Sequence, residues 1–331
     1  MPVPCAVLLL AVAGLGASGA ATTLGVGPGL HRVGVRLVEP ATVVWYPAER
    51  RIPAPPMKYR DYVLLALRDT APEASGAART IDDYAAFLVS KGMPPAGLQA
   101  WLDAPMAAIR DAAPVPGRFP VVVIAPGYGG AVHDEAVLGE FLASHGYVVA
   151  VESSPGWRGR RMASDADVLP VAREQAGRLA AMLDRVRALP GADASRAAVV
   201  GYSFGARAGL LVAAQRREVR ALVSLAGGIG SSEGKGWLPP EALDRARFTT
   251  PILHVYDDAD TAIPPEFTLL DSLVRARRNR TRVPGLGHFD LITLGLARAR
   301  LPELGAADPG QAARIEHVLE MVRAFLKETL G

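Results

Sequence analysis

Three residue types that together turn a serine into a nucleophile lie far apart in this chain. Ser203 sits in Gly201-Tyr202-Ser203-Phe204-Gly205, directly after the apolar run Ala198-Val199-Val200 and directly before a helical pattern. A serine hydroxyl attacks poorly until a base takes its proton, and a carboxylate must hold that base in the right tautomer. His288, in Gly285-Leu286-Gly287-His288-Phe289-Asp290, follows a short strand expected over Arg280 to Val283, on a loop whose glycines let the imidazole swing back. Asp257, Asp258 and Asp260 all follow the apolar run Ile252 to Tyr256. Asp260 is the expected acid because it reaches past the strand end; Asp257 is the alternative, otherwise read as capping the turn. His133, after Gly129-Gly130, is the rival base, or else a residue lining the site. Acting together, such residues would carry out acyl transfer through a covalent serine intermediate.

A G-x-S-x-G string alone is weak, but between a strand and a helix it becomes specific. Side chains two residues either side of the serine would collide at so sharp a turn, which calls for glycine at both. A plain serine N-cap is the alternative. The tetrahedral oxyanion needs two preorganised N–H donors. Phe204 offers one, and Tyr128, in Ala125-Pro126-Gly127-Tyr128-Gly129-Gly130, offers the other and would set its ring at the mouth of the acyl pocket. Arg158, Arg160 and Arg161 follow the strand ending at Val151. Arg160 is their candidate for contact with an anionic substrate group; the alternative is solvated cations paired with Glu152 or Asp165.

The elements that must position these groups follow from hydrophobic pattern. Val121 to Ala125, Tyr147 to Val151, Ala197 to Gly201, Ala221 to Ala226 and Ile252 to Tyr256 read as buried parallel strands. Helical periodicity runs over Asp134 to Ser144, Asp167 to Leu189, Ser203 to Gln215 and Gln311 to Leu330. Alternating strands and helices imply an α/β fold with a doubly wound, mostly parallel sheet. Val33 to Leu37 and Thr42 to Tyr46 read as an N-terminal antiparallel hairpin at one edge. About Met57 to Val115 reads as a helical insertion broken by prolines, either a cap over the sheet or a flanking layer. Its apolar faces are assigned to Tyr59, Tyr62, Leu64, Leu65, Tyr84, Phe87, Leu88, Trp101, Leu102 and Ile109.

The chain has 331 residues, 50% hydrophobic and 21% charged, with a formal net charge of +3. That composition excludes a disordered chain, and the balanced charge gives no footprint for nucleic acid. Residues 1–20 read as a signal peptide, with an apolar run from Ala6 to Ala17 and small residues after it; it contains Cys5, the single cysteine. An N-terminal apolar helix or anchor is the alternative. Residues 21–331 then form one exported domain, secreted or periplasmic, with no stable membrane span. Gly14-Leu15-Gly16-Ala17-Ser18-Gly19 mimics a dinucleotide fingerprint but follows no strand. Neither a metal nor a cofactor is expected.

From about Arg118 to His288 the chain resembles the α/β-hydrolase superfamily, in the branch of dienelactone-hydrolase-like esterases, cutinase-like polyesterases and platelet-activating-factor acetylhydrolases. The resemblance rests on the Ser, Asp, His order, on Val121 to Tyr128, and on Phe141 to Val149 with Gly146 and Tyr147. Trp45-Tyr46-Pro47-Ala48 is similar to the N-terminal strand of the acetylhydrolase branch. Pro126 stands where many members carry His, and the cysteine pair common in the polyesterases is missing. The resemblance implies a serine carboxylic ester hydrolase with Ser203, Asp260 and His288 as triad and Tyr128 and Phe204 as oxyanion donors. Its substrate would be a small-molecule, lipid or polymer ester. A peptidase or acyltransferase of the same fold is the alternative, and a non-catalytic binding protein the more distant one.

Overall fold

A computed structural model describes residues 24–38, 40–49, 54–69, 80–232, 237–305 and 308–331. The expected signal peptide lies outside them. In chain order come β1 (Arg32–Val38), β2 (Thr42–Ala48), α1 (Tyr59–Leu67), α2 (Ile81–Ser90), α3 (Pro95–Asp103) and β3 (Ala108–Arg110). They are followed by β4 (Phe119–Ala125), α4 (Ala136–Ser144), β5 (Val148–Val151), α5 (Val168–Arg187), β6 (Ala192–Tyr202), α6 (Gly205–Gln215) and β7 (Val219–Leu225). The chain closes with β8 (Ile252–Tyr256), α7 (Thr268–Ser272), β9 (Arg278–Arg282), α8 (Thr293–Arg300) and α9 (Pro309–Leu330).

Among the described residues the strands form one nine-stranded sheet in the order β3-β1-β2-β5-β4-β6-β7-β8-β9. β4 to β9 run parallel, and β2 pairs antiparallel with both β1 and β5. Strand alternation sorts the core into two layers. Val122 and Ile124 pack with Phe141 and Leu142 of α4 and Val318 and Val322 of α9. Val121 and Val123 pack with Leu179 and Leu183 of α5 and Leu210 of α6. Burying both faces explains why these strands read as continuous apolar runs.

Two expectations need correction. The hairpin does not form the sheet edge: Val33 to Val35 of β1 pair with Ala108 to Arg110, so β3 lies outermost. Three residues are too few to show a period of two, so the strand is silent in the sequence. Within the insertion, Leu64 and Phe87 are exposed rather than packed, while Tyr59, Tyr62, Tyr84 and Trp101 are buried. The opposite edge strand, β9, reads Arg-Asn-Arg-Thr-Arg, and its charges discourage pairing with another chain.

The insertion is tied down through polar groups. Trp45 Nε1 donates to Tyr62 Oη at 2.8 Å, and Tyr62 Oη donates to Glu140 Oε1 at 2.6 Å. The Glu140 carboxylate also accepts from the amides of Ala107 and Ala108 at 2.7 and 3.0 Å. One buried carboxylate on α4 therefore holds both α1 and the segment entering β3. Glu135, just before α4, is less well served: it is buried and its Oε1 has no hydrogen-bond partner among the described residues. Burial, helped by the charge of Asp134, holds its carboxyl well above the usual range. Its raised value means stability is fully present below the unfolded-state pKa and is lost as pH rises through the folded-state pKa. Glu135→Gln is accordingly expected to raise Tm by a few degrees at pH 8 and to leave it little changed at pH 4. Thermal melts at the two pH values check this, and an equal shift at both would contradict it.

Candidate active site

The site lies where the sheet's winding reverses. From β4 the chain winds outward through α4 to β5, whereas from β6 it winds the other way through α6 to β7. The loops leaving neighbouring strands β4 and β6 diverge there and open a crevice at their carboxyl ends. Ser203 occupies the turn between β6 and α6 with φ of 51°, in the left-handed region where a residue other than glycine is strained by about 1–3 kcal/mol. A Cβ on Gly201 would come 2.4 Å from Ala206 Cα, and one on Gly205 would come 2.0 Å from the Ala125 carbonyl oxygen. Both glycines are therefore sterically required.

Ser203 Oγ lies 3.0 Å from His288 Nε2, and His288 Nδ1 lies 2.8 Å from Asp260 Oδ2. The other oxygen of Asp260 accepts from the amides of Ala262 and Ile263 at 2.9 and 3.0 Å, which fixes the carboxylate's orientation. Asp257 points elsewhere: its Oδ2 accepts from the Gly285 amide at 2.8 Å, clamping the start of the loop that carries His288. Tyr202, beside the serine, donates its hydroxyl to the His288 carbonyl at 3.1 Å. That contact escapes sequence reasoning because Tyr202 reads only as the variable position of the motif.

The loop after β4 abuts the serine, since a Cβ on Gly127 would lie 3.2 Å from Ser203 Cβ. Neither the Tyr128 nor the Phe204 amide finds an acceptor among the described residues. The two rings pack edge to face, with centroids 5.9 Å apart. Tyr128 also accepts the Met162 amide and donates to the Arg160 carbonyl, anchoring the loop after β5.

Ser203 and His288 open into a cavity of about 490 Å³. Tyr84, Phe87, Leu88 and Trp101 of the insertion, Trp157 of the loop after β5, and Ile263 and Phe289 supply apolar wall. His133 and Asp134 line it as well. His133 does not approach the serine as His288 does; its ring is caged by Tyr84 and Trp157, each with its centroid 5.1 Å away. Arg160 is not brought into the cavity. Its Nε lies 3.6 Å from Glu174 Oε2, while Arg158 pairs with the buried Asp69. Glu152, the partner expected for these cations, is taken instead by Arg178 and Arg185 of α5. Trp157 escapes the sequence reading, although a tryptophan on a loop leaving this sheet edge is a signal for a pocket wall.

A second serine–histidine contact shows that distance alone does not make a site. His254 Nδ1 lies 2.9 Å from Ser224 Oγ between β8 and β7, but both residues are fully buried and neither lines the cavity. Burial pushes the His254 imidazole down to about 4. Among the described residues no group of three His, Cys, Asp or Glu could hold a metal ion, and no helix is long and apolar enough to cross a membrane.

The model of the dienelactone hydrolase family matches residues 106–285, just over half of the chain. The chain belongs to the dienelactone hydrolase family. The match takes in β4, the serine elbow and Asp260, and stops three residues before His288. Two curated relatives from Thermobifida alba, cutinase est2 and cutinase est1, are 34% and 33% identical over 113 residues. That alignment takes in 32% of this chain and 34% of each relative, so the chain spans about a third of the length of the curated relatives it matches. A solved ferulic acid esterase from Streptomyces cinnamoneus superposes with a TM-score of 0.61 at 20% identity, covering 94% of both chains. At that identity the likeness is one of fold, and it extends over most of the chain.

Proposed function

We propose that this member of the dienelactone hydrolase family is a serine carboxylic ester hydrolase that works through an acyl-enzyme on Ser203. The observation that carries the reading is the unbroken polar chain from Ser203 Oγ through His288 to Asp260, with steps of 3.0 and 2.8 Å. His288 Nε2 takes the hydroxyl proton as Oγ attacks the acyl carbon, and returns it to the leaving alcohol. Asp260 keeps the other proton on Nδ1 and stabilises the imidazolium. The oxyanion is received by the Phe204 and Tyr128 amides, which have no other acceptor among the described residues. Water, activated by His288, then releases the acid and frees the serine.

The helical insertion acts in this proposal as a cap, since Tyr84, Phe87, Leu88 and Trp101 wall the acyl cavity. A wall whose only charged residues among the described ones are Asp134 and buried Arg207 favours neutral esters, small or polymeric. The name cutinase carried by two relatives supports an ester as substrate. Export, read from residues 1–20, belongs to the same proposal. A fluorophosphonate probe is expected to form one stoichiometric adduct, mapped to Ser203 by peptide mass, with loss of activity on a short p-nitrophenyl ester. A folded protein that takes no adduct and cleaves no ester would overturn the reading.

A further inference from the structure

One titratable side chain in the cavity wall has no part in the chemistry above. His133 is 2% exposed, lines the cavity, and its Nδ1 has no hydrogen-bond partner among the described residues. Burial lowers its pKa against the opposing pull of Asp134, so the ring is neutral near pH 7. Its Nε2 lies 3.6 Å from Asp134 Oδ1. That is long for a hydrogen bond, yet close enough for the carboxylate to favour the tautomer protonated on Nε2. Nδ1 is then a bare acceptor on a residue of the cavity wall, closed off from solvent and with no donor among the described residues, so a ligand hydroxyl would reach it by parting the ring edges around it; such an arrangement is expensive to keep without a use.

What could donate is narrowed by the surroundings. Asp134 Oδ2 already accepts from the Ala131 amide at 2.9 Å, and the Tyr59 and Tyr84 hydroxyls face each other at 3.4 Å. A carboxylate on the ligand would meet an acceptor nitrogen and the charge of Asp134, and an alkyl chain would leave Nδ1 unmet. The rings of Tyr84 and Trp157 stand edge-on to His133 at 79° and 60°, with that of Tyr59 6.1 Å away. Flat aromatic walls of this kind suit a planar ring held by offset or edge contacts.

We infer that this corner is a subsite for an aryl hydroxyl on the ester substrate, the ring held by Tyr84 and Trp157 and its O–H donated to His133 Nδ1. The inference rests on the ester-hydrolase reading and adds to it a chemical class of substrate and a specificity-determining residue.

The test compares matched ester pairs, methyl 4-hydroxycinnamate with methyl cinnamate and methyl 4-hydroxybenzoate with methyl benzoate. The readout is the kcat/KM ratio within each pair at about pH 6, where the phenol is un-ionised, divided by the alkaline-hydrolysis ratio of the 4-methoxy ester to the same parent, which matches the electronic effect of the neutral hydroxyl and so removes intrinsic reactivity. At least one pair is expected to favour the hydroxylated member by roughly tenfold, the size of one neutral hydrogen bond. His133→Phe keeps the aromatic cage without the acceptor and is expected to bring that ratio to about one. His133→Asn, whose amide oxygen can stand near the place of Nδ1, is expected to retain most of it. A wild-type ratio near one for both pairs overturns the inference whatever the variants do, as does a ratio that survives in His133→Phe or is lost equally in His133→Asn. Cleavage of p-nitrophenyl butyrate without cleavage of any of the four methyl esters also overturns it and leaves the hydrolase reading standing. Cleavage of no ester at all would remove both.

Discussion

A Ser203→Ala protein is expected to lose on the order of 10⁶-fold in kcat on a short p-nitrophenyl ester while folding normally. The size follows from what is removed. In serine hydrolases the nucleophile and its base act as one unit, so deleting either forfeits nearly all their joint effect, and only the oxyanion donors and substrate binding remain. Nothing in the fold depends on the hydroxyl, because the hydrogen-bond partner of Ser203 Oγ is His288 itself. The strain at φ of 51° is a backbone property that alanine inherits, and the amides of Ala206 and Gly228 still reach the residue's carbonyl at 3.3 and 2.9 Å. Tm should therefore stay within a few degrees of the wild-type value. Steady-state kinetics and a thermal melt on one preparation suffice as the check. Retention of more than about one hundredth of the wild-type kcat would mean that another group attacks the ester.

What the sequence reveals of this site, and what it hides, divides along a physical line. The elbow is legible because its constraint is local: at Gly201 and Gly205 any Cβ would strike atoms within a few residues or on the adjacent strand. The parallel strands are legible because burial on two faces forces unbroken apolar runs such as Val121 to Ala125. Contacts between distant segments leave no such trace. Trp157 joins the wall through packing against Tyr84 and a hydrogen bond from its Nε1 to the Ala66 carbonyl at 3.1 Å, 91 residues away. Tyr62 finds Glu140 across 78 residues. Neither partner can be guessed from spacing. The insertion shows the boundary: its sequence reads as helical with Phe87 on an apolar face, but Phe87 of α2 is 54% exposed and lines the cavity rather than the core. An apolar residue meant for a ligand is indistinguishable in sequence from one meant for the core.

The choice between Asp257 and Asp260 is the other place where sequence leaves two readings, and it yields the second large effect. Asp260→Asn is expected to lower kcat about 10⁴-fold, the loss that follows when the orienting carboxylate of a triad becomes an amide. The reason lies in the two amides that bind the other side of this residue. In the variant, the oxygen of the new side-chain amide would keep the bonds from Ala262 and Ile263, now at 2.9 and 3.0 Å, because only an acceptor can sit there. Its NH₂ group must then face His288 Nδ1, which forces the imidazole proton onto Nε2, the nitrogen that should take the proton of Ser203. The site would remain assembled with its base blocked. Asp257→Asn leaves an acceptor for the Gly285 amide and reaches His288 only through the loop, so its loss should stay within about tenfold. The two variants also separate by pH. In Asp260→Asn the activity should recover partly toward high pH, where hydroxide can replace the missing base; in Asp257→Asn the wild-type profile should be kept. If Asp257→Asn matched or exceeded the loss in Asp260→Asn, the assignment of the triad acid would have to be reversed.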